Sequence, residues 1–268
     1  MRSLKLFLII LLIPLLALSI FFIHRIYKKH KSSTNTKGKN GDIQERSNDN
    51  TGNQRNKDSA EISNLNNDIK EYRNRVEAKP NVTIVDVSVE KCSKIVMKNK
   101  QKFYQNKNTV LVNAANTNFQ TGGGGLNNAI TDFVKNKNGV TNNKWTELAL
   151  PLKYNYDNRI KISKFTNGYV LHLVGLQAGE LKDLNLKIEN VEKYLINLYL
   201  NGLKEIESII KQGNVLLCCV STGIYAYDGV DSKGKSFSKK EFILRAKLAC
   251  LKAVYKYNGN LNIVLNFR

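Results

Sequence analysis

Thr109-Val110-Leu111-Val112-Asn113-Ala114-Ala115-Asn116, followed shortly by Thr121-Gly122-Gly123-Gly124-Gly125, is the stretch on which the fold turns. Thr109 to Val112 is a short β-branched apolar run and reads as a strand. After the glycines, Leu126, Ala129, Ile130 and Phe133 recur at helical spacing. A strand, a glycine turn and a helix in succession make the opening of an α/β unit. Further short apolar runs lie at Val82 to Val87, Tyr169 to Val174, Val215 to Val220 and Leu261 to Leu265. Between them, Glu189 to Ile210 and Lys239 to Tyr257 have helical spacing, with Leu195, Leu198, Leu203 and Ile206 marking one apolar face. Strand runs that are apolar throughout and alternate with helices predict a largely parallel sheet covered on both faces. In such sheets ligands sit beyond the carboxyl ends of the strands, so the loops after each run are where chemistry is sought.

Two of those loops stand out. Four consecutive glycines before a helix expose backbone N–H groups and allow close approach of a phosphate or diphosphate. A Walker loop is excluded, because Gly125 is followed by Leu126-Asn127 where Lys and Ser or Thr would be needed. A dinucleotide fingerprint is excluded as well, since Asn127 stands where its third glycine would be. The second loop, Ser221-Thr222-Gly223-Ile224-Tyr225, follows Val215 to Val220 and offers hydroxyls, a glycine and an aromatic ring. Two such loops at one sheet edge can clasp a diphosphate, with Tyr225 over a sugar face.

Taken together, Val110 to Asn116, the glycine run, Tyr169-Val170-Leu171-His172-Leu173-Val174-Gly175 and Ser221 to Tyr225 resemble the macrodomain family in order and separation. The resemblance spans about Asn81 to Arg268. It implies a three-layer α/β/α fold that binds ADP-ribose, free or attached to a protein. It further implies that Asp86, with Val87 beside it, receives the adenine amino group and that Asn116 holds the distal ribose. Gly123, Gly124 and Gly125 and the residues Ser221, Thr222, Gly223 and Ile224 would be the two diphosphate loops. Tyr225 would pack near the distal ribose and Phe267 on the adenine. If the protein is a hydrolase removing mono-ADP-ribose from acidic side chains, Asn116 is the residue that positions the reacting sugar. Two departures bear on this. Leu126-Asn127-Asn128-Ala129-Ile130 replaces the Val-Asp-Gly-Ala-Ile of many hydrolytic members, and Asn127 cannot serve as a carboxylate base. The segment Ser88 to Lys107 is an insertion between Asp86 and the next strand.

The rest of the chain sets the context. Its 268 residues are 42% hydrophobic, enough for one domain with accessories and incompatible with a wholly disordered chain. Leu6 to Ile23 is an unbroken apolar run of 18 residues that predicts a transmembrane helix, with residues 1–31 as a membrane anchor with basic flanks. The run continues directly into Arg25 without a small-residue cleavage site, which favours an uncleaved single-pass anchor over a signal peptide. Arg25, Lys28, Lys29 and Lys31 outnumber Arg2 and Lys5, which predicts a domain facing the cytosol. Residues 32–59 read as a flexible polar linker. Residues 60–79 read as a short helix packed on the domain of residues 80–268, with Ile62, Leu65, Ile69, Tyr72 and Val76 as its stripe.

The net charge of +20 divides into +6 for residues 1–31, +1 for 32–80 and +13 for 81–268. That surplus favours an anionic ligand or a membrane surface. Lys91, Lys94, Lys98, Lys100, Lys102 and Lys107, interleaved with Phe103 and Tyr104, provide the alternative of an RNA- or polyanion-binding membrane adaptor, and the same patch would serve a non-catalytic reader of ADP-ribose or poly-ADP-ribose. The expected partners are ADP-ribose or an ADP-ribosylated protein, and the membrane through the N-terminal segment. Four cysteines are too few for a disulfide scaffold. No His, Cys or acidic cluster has metal-ligand spacing, and neither a metal nor a cofactor is expected.

Overall fold

The computed structural model describes residues 50–105, 108–122, 124–138, 150–155, 159–166 and 168–267. The chain divides into two units, Met1–Asn50 and Thr51–Arg268. The expected membrane segment and its basic flanks therefore lie outside the described residues, and no helix among the described residues is long and apolar enough to cross a membrane.

The second unit is built on a seven-stranded sheet in the order β1-β9-β6-β2-β5-β4-β3. These are β1 (Val82–Val85), β2 (Thr109–Ala114), β3 (Leu150–Asn155), β4 (Ile160–Phe165), β5 (Gly168–Leu173), β6 (Asn214–Cys218) and β9 (Asn262–Asn266). The run from β1 to β5 is parallel throughout, and β4 and β3 add an antiparallel edge. The mostly parallel sheet is the one that the apolar runs predict. Its central strand β2 is buried from Thr109 to Asn113, as a strand covered on both faces must be.

The edge hairpin and the short ribbon of β7 (Gly229–Val230) and β8 (Ser236–Phe237) are elements that the sequence reading did not include. In β4 the buried positions include Lys161 and Ser163, so the polar half of Ile160-Lys161-Ile162-Ser163 disguises an inward-facing strand. Pro151 sits in β3, at the outer edge where a missing N–H breaks no ladder, and the register shifts beside it.

Helices cover both faces. On one side α4 (Asn190–Ile210) and α5 (Lys239–Lys256) pack on each other and on the sheet. The face of α4 carries Val191, Leu195, Leu198, Leu203 and Ile206, all fully buried, at the spacing of a helix stripe. Helix α5 opens with a cap in which the Ser238 hydroxyl accepts from the Glu241 N–H at 3.1 Å. On the other side lie α2 (Gly125–Asn138) and the 88–105 segment, which forms short 3₁₀ turns at Val89–Lys94 and Phe103–Gln105. Val89, Cys92, Ile95, Met97 and Phe103 are buried there against Leu111, Val170, Leu216 and Val264 of the sheet and Ile130, Phe133 and Val134 of α2. The insertion is thus part of the second helical layer. The four-residue α3 (Glu180–Asp183) follows β5.

Helix α1 (Asn50–Glu77) starts earlier than the expected short helix, so residues 50–59 are helical where a flexible linker was expected. Once a segment is docked, each added helical residue gains a hydrogen bond without a new nucleus, which extends helices into polar sequence. Its stripe packs against the domain: Leu65 and Val76 are buried, and the Tyr72 ring meets that of Tyr255 edge-on at 5.8 Å. The Lys79 ammonium donates to the carbonyls of Val254 (3.1 Å), Tyr255 (2.9 Å) and Tyr257 (2.5 Å), closing the carboxyl end of α5. At the other end Glu61 pairs with Arg245, which also holds Glu241 at 3.0 Å, and with Lys235 at 3.3 Å. These contacts run α1 alongside α5 in the same direction.

Candidate functional site

The carboxyl ends of β1, β9, β6 and β2 open onto one continuous cleft. Its middle is a depression of about 410 Å³ walled by residues from β1's exit, α2's first turn and the ends of β6 and β9, including Val87, Gly125, Cys218 and Asn266. That volume lies within the roughly 300–1,000 Å³ typical of small-molecule sites. Gly125, Leu126, Cys219 and Thr222 connect it to a second depression of about 240 Å³ reaching Asn116 and Tyr225. Val87 and Ser88 connect it in the other direction to Asp86 and Lys91.

The end around Asn116 is walled by backbone and neutral side chains. Gly124 has a positive φ of 88°, a conformation that side chains with a Cβ rarely adopt, and it turns the chain into the first turn of α2. The first N–H groups of that helix have no intrahelical acceptor and point their dipole at the cleft. Opposite them, the N–H groups of Ser221, Thr222, Gly223, Ile224 and Tyr225 have no acceptor among the described residues. The loop is braced from behind: the Tyr199 hydroxyl accepts from the Val220 N–H at 2.7 Å and donates to the Cys218 carbonyl at 3.2 Å. The Thr222 hydroxyl donates to the Cys219 carbonyl at 2.9 Å. Ser221 itself sits at φ 66°, buried, with its hydroxyl packed where a side chain on Gly175 would reach 2.2 Å. Only glycine fits at 175.

Asn116 is fixed by its own turn. Its carbonyl oxygen Oδ1 accepts from the Gln120 N–H at 2.9 Å, leaving Nδ2 as the available donor in the cleft wall. Asn127 also lines this end, but both of its polar atoms are engaged: Oδ1 accepts from Asn113 at 2.9 Å, and Nδ2 donates to the Gln120 carbonyl at 2.8 Å. Beneath it, the Asn113 amide also meets His172 Nδ1 at 3.1 Å, and His172 Nε2 meets the Ser163 hydroxyl at 3.1 Å. Burial pushes the His172 imidazole down to about 3, aided by the nearby Lys161 charge, so it stays neutral. No carboxylate or imidazole lines this end among the described residues.

The opposite end is charged. Asp86 is exposed and makes no hydrogen bond or ion pair among the described residues, and Lys91 shares its depression. The cleft therefore brings together Asp86, Val87, Asn116, Gly124, Gly125, Ser221, Thr222, Gly223, Ile224 and Tyr225. Gly123 lies outside the described residues. Phe267, expected on the adenine, is not among the residues that wall these three depressions: its ring packs toward α1 and α5, with the Arg73 guanidinium 5.8 Å and the Lys247 ammonium 5.5 Å from its centroid. The reason is strand alternation, which sends Leu265 and Phe267 to one face and Val264 and Asn266 to the other.

Asn266 is the residue that sequence reasoning missed. Its amide Nδ2 donates to the Val87 carbonyl at 2.6 Å, and its Oδ1 is buried without a partner. The same period-2 parity applied to Leu261 to Leu265 would have found it. The lysine-and-aromatic stretch of the insertion is also changed by the structure. Phe103 is fully buried, and the Tyr104 ring meets that of Phe133 edge-on at 5.2 Å, so neither ring is presented for stacking on a base.

No family model matches the chain, and no curated protein matches it. Solved structures similar to it are macrodomains. One is the Oceanobacillus iheyensis macrodomain with MES bound, 17% identical, covering 69% of this chain and 82% of that one at a TM-score of 0.39. Another is the Trypanosoma brucei macrodomain in complex with ADP, 20% identical, covering 60% of this chain and 59% of that one at a TM-score of 0.36.

Proposed function

We propose that the chain is a macrodomain that binds ADP-ribose or ADP-ribosylated proteins, tethered to a membrane by the apolar run Leu6 to Ile23 with the domain in the cytosol. The observation that carries the reading is the polarity of the cleft along its length. A free carboxylate, Asp86, stands at one end, and two facing sets of unengaged backbone N–H groups stand at the other. That order matches a ligand with a base carrying an amino donor, then a diphosphate, then a sugar. Asp86 accepts the adenine amino group, the 124–126 and 221–225 backbones receive the diphosphate, and Asn116 Nδ2 donates to a distal ribose hydroxyl. Neutral, preorganised N–H donors hold a diphosphate without reorganising when it arrives.

Binding without turnover is the favoured form of this reading. Hydrolysis of a glycosidic ester needs a group that orients or deprotonates water, and Asn127 is the side chain best placed for it. Both of its polar atoms are already bonded within the protein. The test is release of ADP-ribose from a mono-ADP-ribosylated acidic acceptor by the full chain, alongside the variant Asn127→Asp. No release by the natural chain with tight binding of the acceptor supports the reader; release by the natural chain overturns it in favour of a hydrolase. Membrane tethering is tested separately by carbonate extraction of the full chain, which should remain in the membrane pellet; recovery in the supernatant contradicts the anchor.

A further inference from the structure

The segment 88–105 buries one side of itself and leaves the other in water. Along its extended part Ile95 and Met97 are buried while Val96 and Lys98 are exposed, the alternation of a strand. Val96 is bridged to Lys102 in antiparallel register, which puts both side chains on the same outward side. The Phe103 N–H donates to the Ile95 carbonyl and the Met97 N–H to the Gln101 carbonyl, each at 2.9 Å. The return is therefore a tight hairpin, with Lys100 at φ 62° in its tip. Lys98 Nζ donates to the carbonyls of Glu77 and, at 3.1 Å, Lys79, which fastens the hairpin to the carboxyl end of α1.

That outward side is basic with little to answer it. Residues 88–138 hold eight lysines against two acids, Glu90 and Asp132, and Asp132 is engaged by the Asn128 amide at 3.1 Å. Lys94, Lys100 and Lys102 are exposed and make no ion pair among the described residues. The Lys137 ammonium of α2 joins them over the rings of Tyr104 and Phe133, 5.1 and 5.5 Å from their centroids. Two further carboxylates stand at the border. Asp86 shares its depression with Lys91, and Glu77 lies where Lys98 is fastened, so neither of these lysines is counted as free charge. Among the remaining cations stands Val96, an apolar side chain 57% exposed.

We propose that this side of the domain docks on an anionic lipid bilayer, with Lys94, Lys100, Lys102 and Lys137 at the headgroups and Val96 dipping between them. Three observations favour a bilayer over a nucleic acid. Phe103 is buried and Tyr104 packs on Phe133, so no ring is left to stack on a base. All four cations are lysines, point charges suited to diffuse headgroup charge, without the planar fork with which arginine reads a base edge. An exposed valine among lysines gains by leaving water at the boundary of headgroups and acyl chains, and gains nothing from a phosphate backbone. The inference draws on the tether proposed above, which holds the surface beside a bilayer at high effective concentration. Each lysine at an anionic bilayer contributes roughly fivefold in partitioning, so four of them act strongly together.

The test is hydrogen exchange of the full chain inserted in nanodiscs of phosphatidylcholine, alone or with about one-third phosphatidylserine, at about 0.1 M salt. Amides of residues 94–102 should exchange about tenfold more slowly in the anionic discs than in the neutral ones. The triple substitution Lys94→Gln, Lys100→Gln and Lys102→Gln, and separately Val96→Asp, each checked for an unchanged melting temperature, should abolish that difference. Both variants should bind ADP-ribose as the natural chain does, since none of these residues walls the cleft. Equal exchange in the two discs overturns the docking surface and leaves the anchor standing. A chain that fails to insert overturns the anchor, and flotation with vesicles of the same two compositions then decides the surface by itself. Flotation with the anionic vesicles alone upholds it, and flotation with neither overturns it. Equal slowing by single-stranded RNA added to neutral discs, surviving Val96→Asp, assigns the surface to nucleic acid and overturns the bilayer.

Discussion

The two ends of the cleft solve different problems with different materials. Around Asn116 the wall is backbone and neutral side chains, held by hydrogen bonds from behind; around Asp86 it is exposed charge. Neutral N–H donors in a braced loop are fixed in direction and insensitive to salt. Exposed charges are adaptable but screened over about 10 Å at 0.1 M ionic strength. The first end is suited to holding a diphosphate and the second to telling ligands apart.

The largest effect should come from breaking the neutral end. Gly124→Val places a β-branched residue at φ 88°, a conformation it adopts only under strain, although nothing lies within 4 Å of the added Cβ. ADP-ribose affinity should fall by about 100-fold or more, equivalent to about 2.7 kcal/mol, with the fold intact by circular dichroism. Affinity within twofold of the natural chain would remove the glycine turn from the binding site. At the charged end, Asp86→Ala deletes an acceptor whose hydrogen bond to the ligand is worth about 1.5–3 kcal/mol, so a loss of about 10- to 100-fold is expected by titration. A matching loss for an inosine analogue would show that Asp86 does not read the amino group. Asn116→Ala removes one neutral donor and should cost about 1 kcal/mol, or roughly fivefold. If that loss exceeds the one at Asp86, the division of labour is reversed.

The smallest effect on binding should be that of pH, because the buried imidazole beneath the neutral end does not protonate. Stability behaves otherwise. Below the ordinary histidine value of 6.5 the unfolded chain takes up a proton that folded His172 refuses until about pH 3. Its contribution is therefore fully present above pH 6.5 and is lost as pH falls toward 3, at about 1.4 kcal/mol per unit. Urea denaturation at pH 7 and pH 5 should show this loss in the natural chain and less of it in His172→Gln. Equal pH dependence in both would place the acid sensitivity elsewhere.

How much of this was legible depended on whether a residue's role is local. The parallel strands were readable because strands buried on both faces are apolar along their whole length, as β2 is. The glycine turn and the Ser221 loop were readable because each works through its own backbone. β4 was not, since Lys161 and Ser163 are buried for reasons of tertiary packing. The 88–107 insertion read as an unexplained addition, yet Val89, Cys92, Ile95, Met97 and Phe103 make it half of the second helical layer. Phe267 and Asn266 show the limit most plainly: a shift of one residue along a strand exchanges a cleft wall for a ring under two cations. The pairing of α1 with α5 through Glu61 and Arg245 joins residues remote in sequence and leaves no mark in local pattern.

The central claim, that one cleft reads a ligand from Asp86 to Asn116, is tested most directly by calorimetric titration of ADP-ribose into the full chain, with AMP and ribose 5-phosphate as halves of the ligand. Saturable one-site binding of ADP-ribose, much tighter than that of either half, is the predicted result. No heat at millimolar ADP-ribose, or an affinity no better than that of AMP alone, would contradict it.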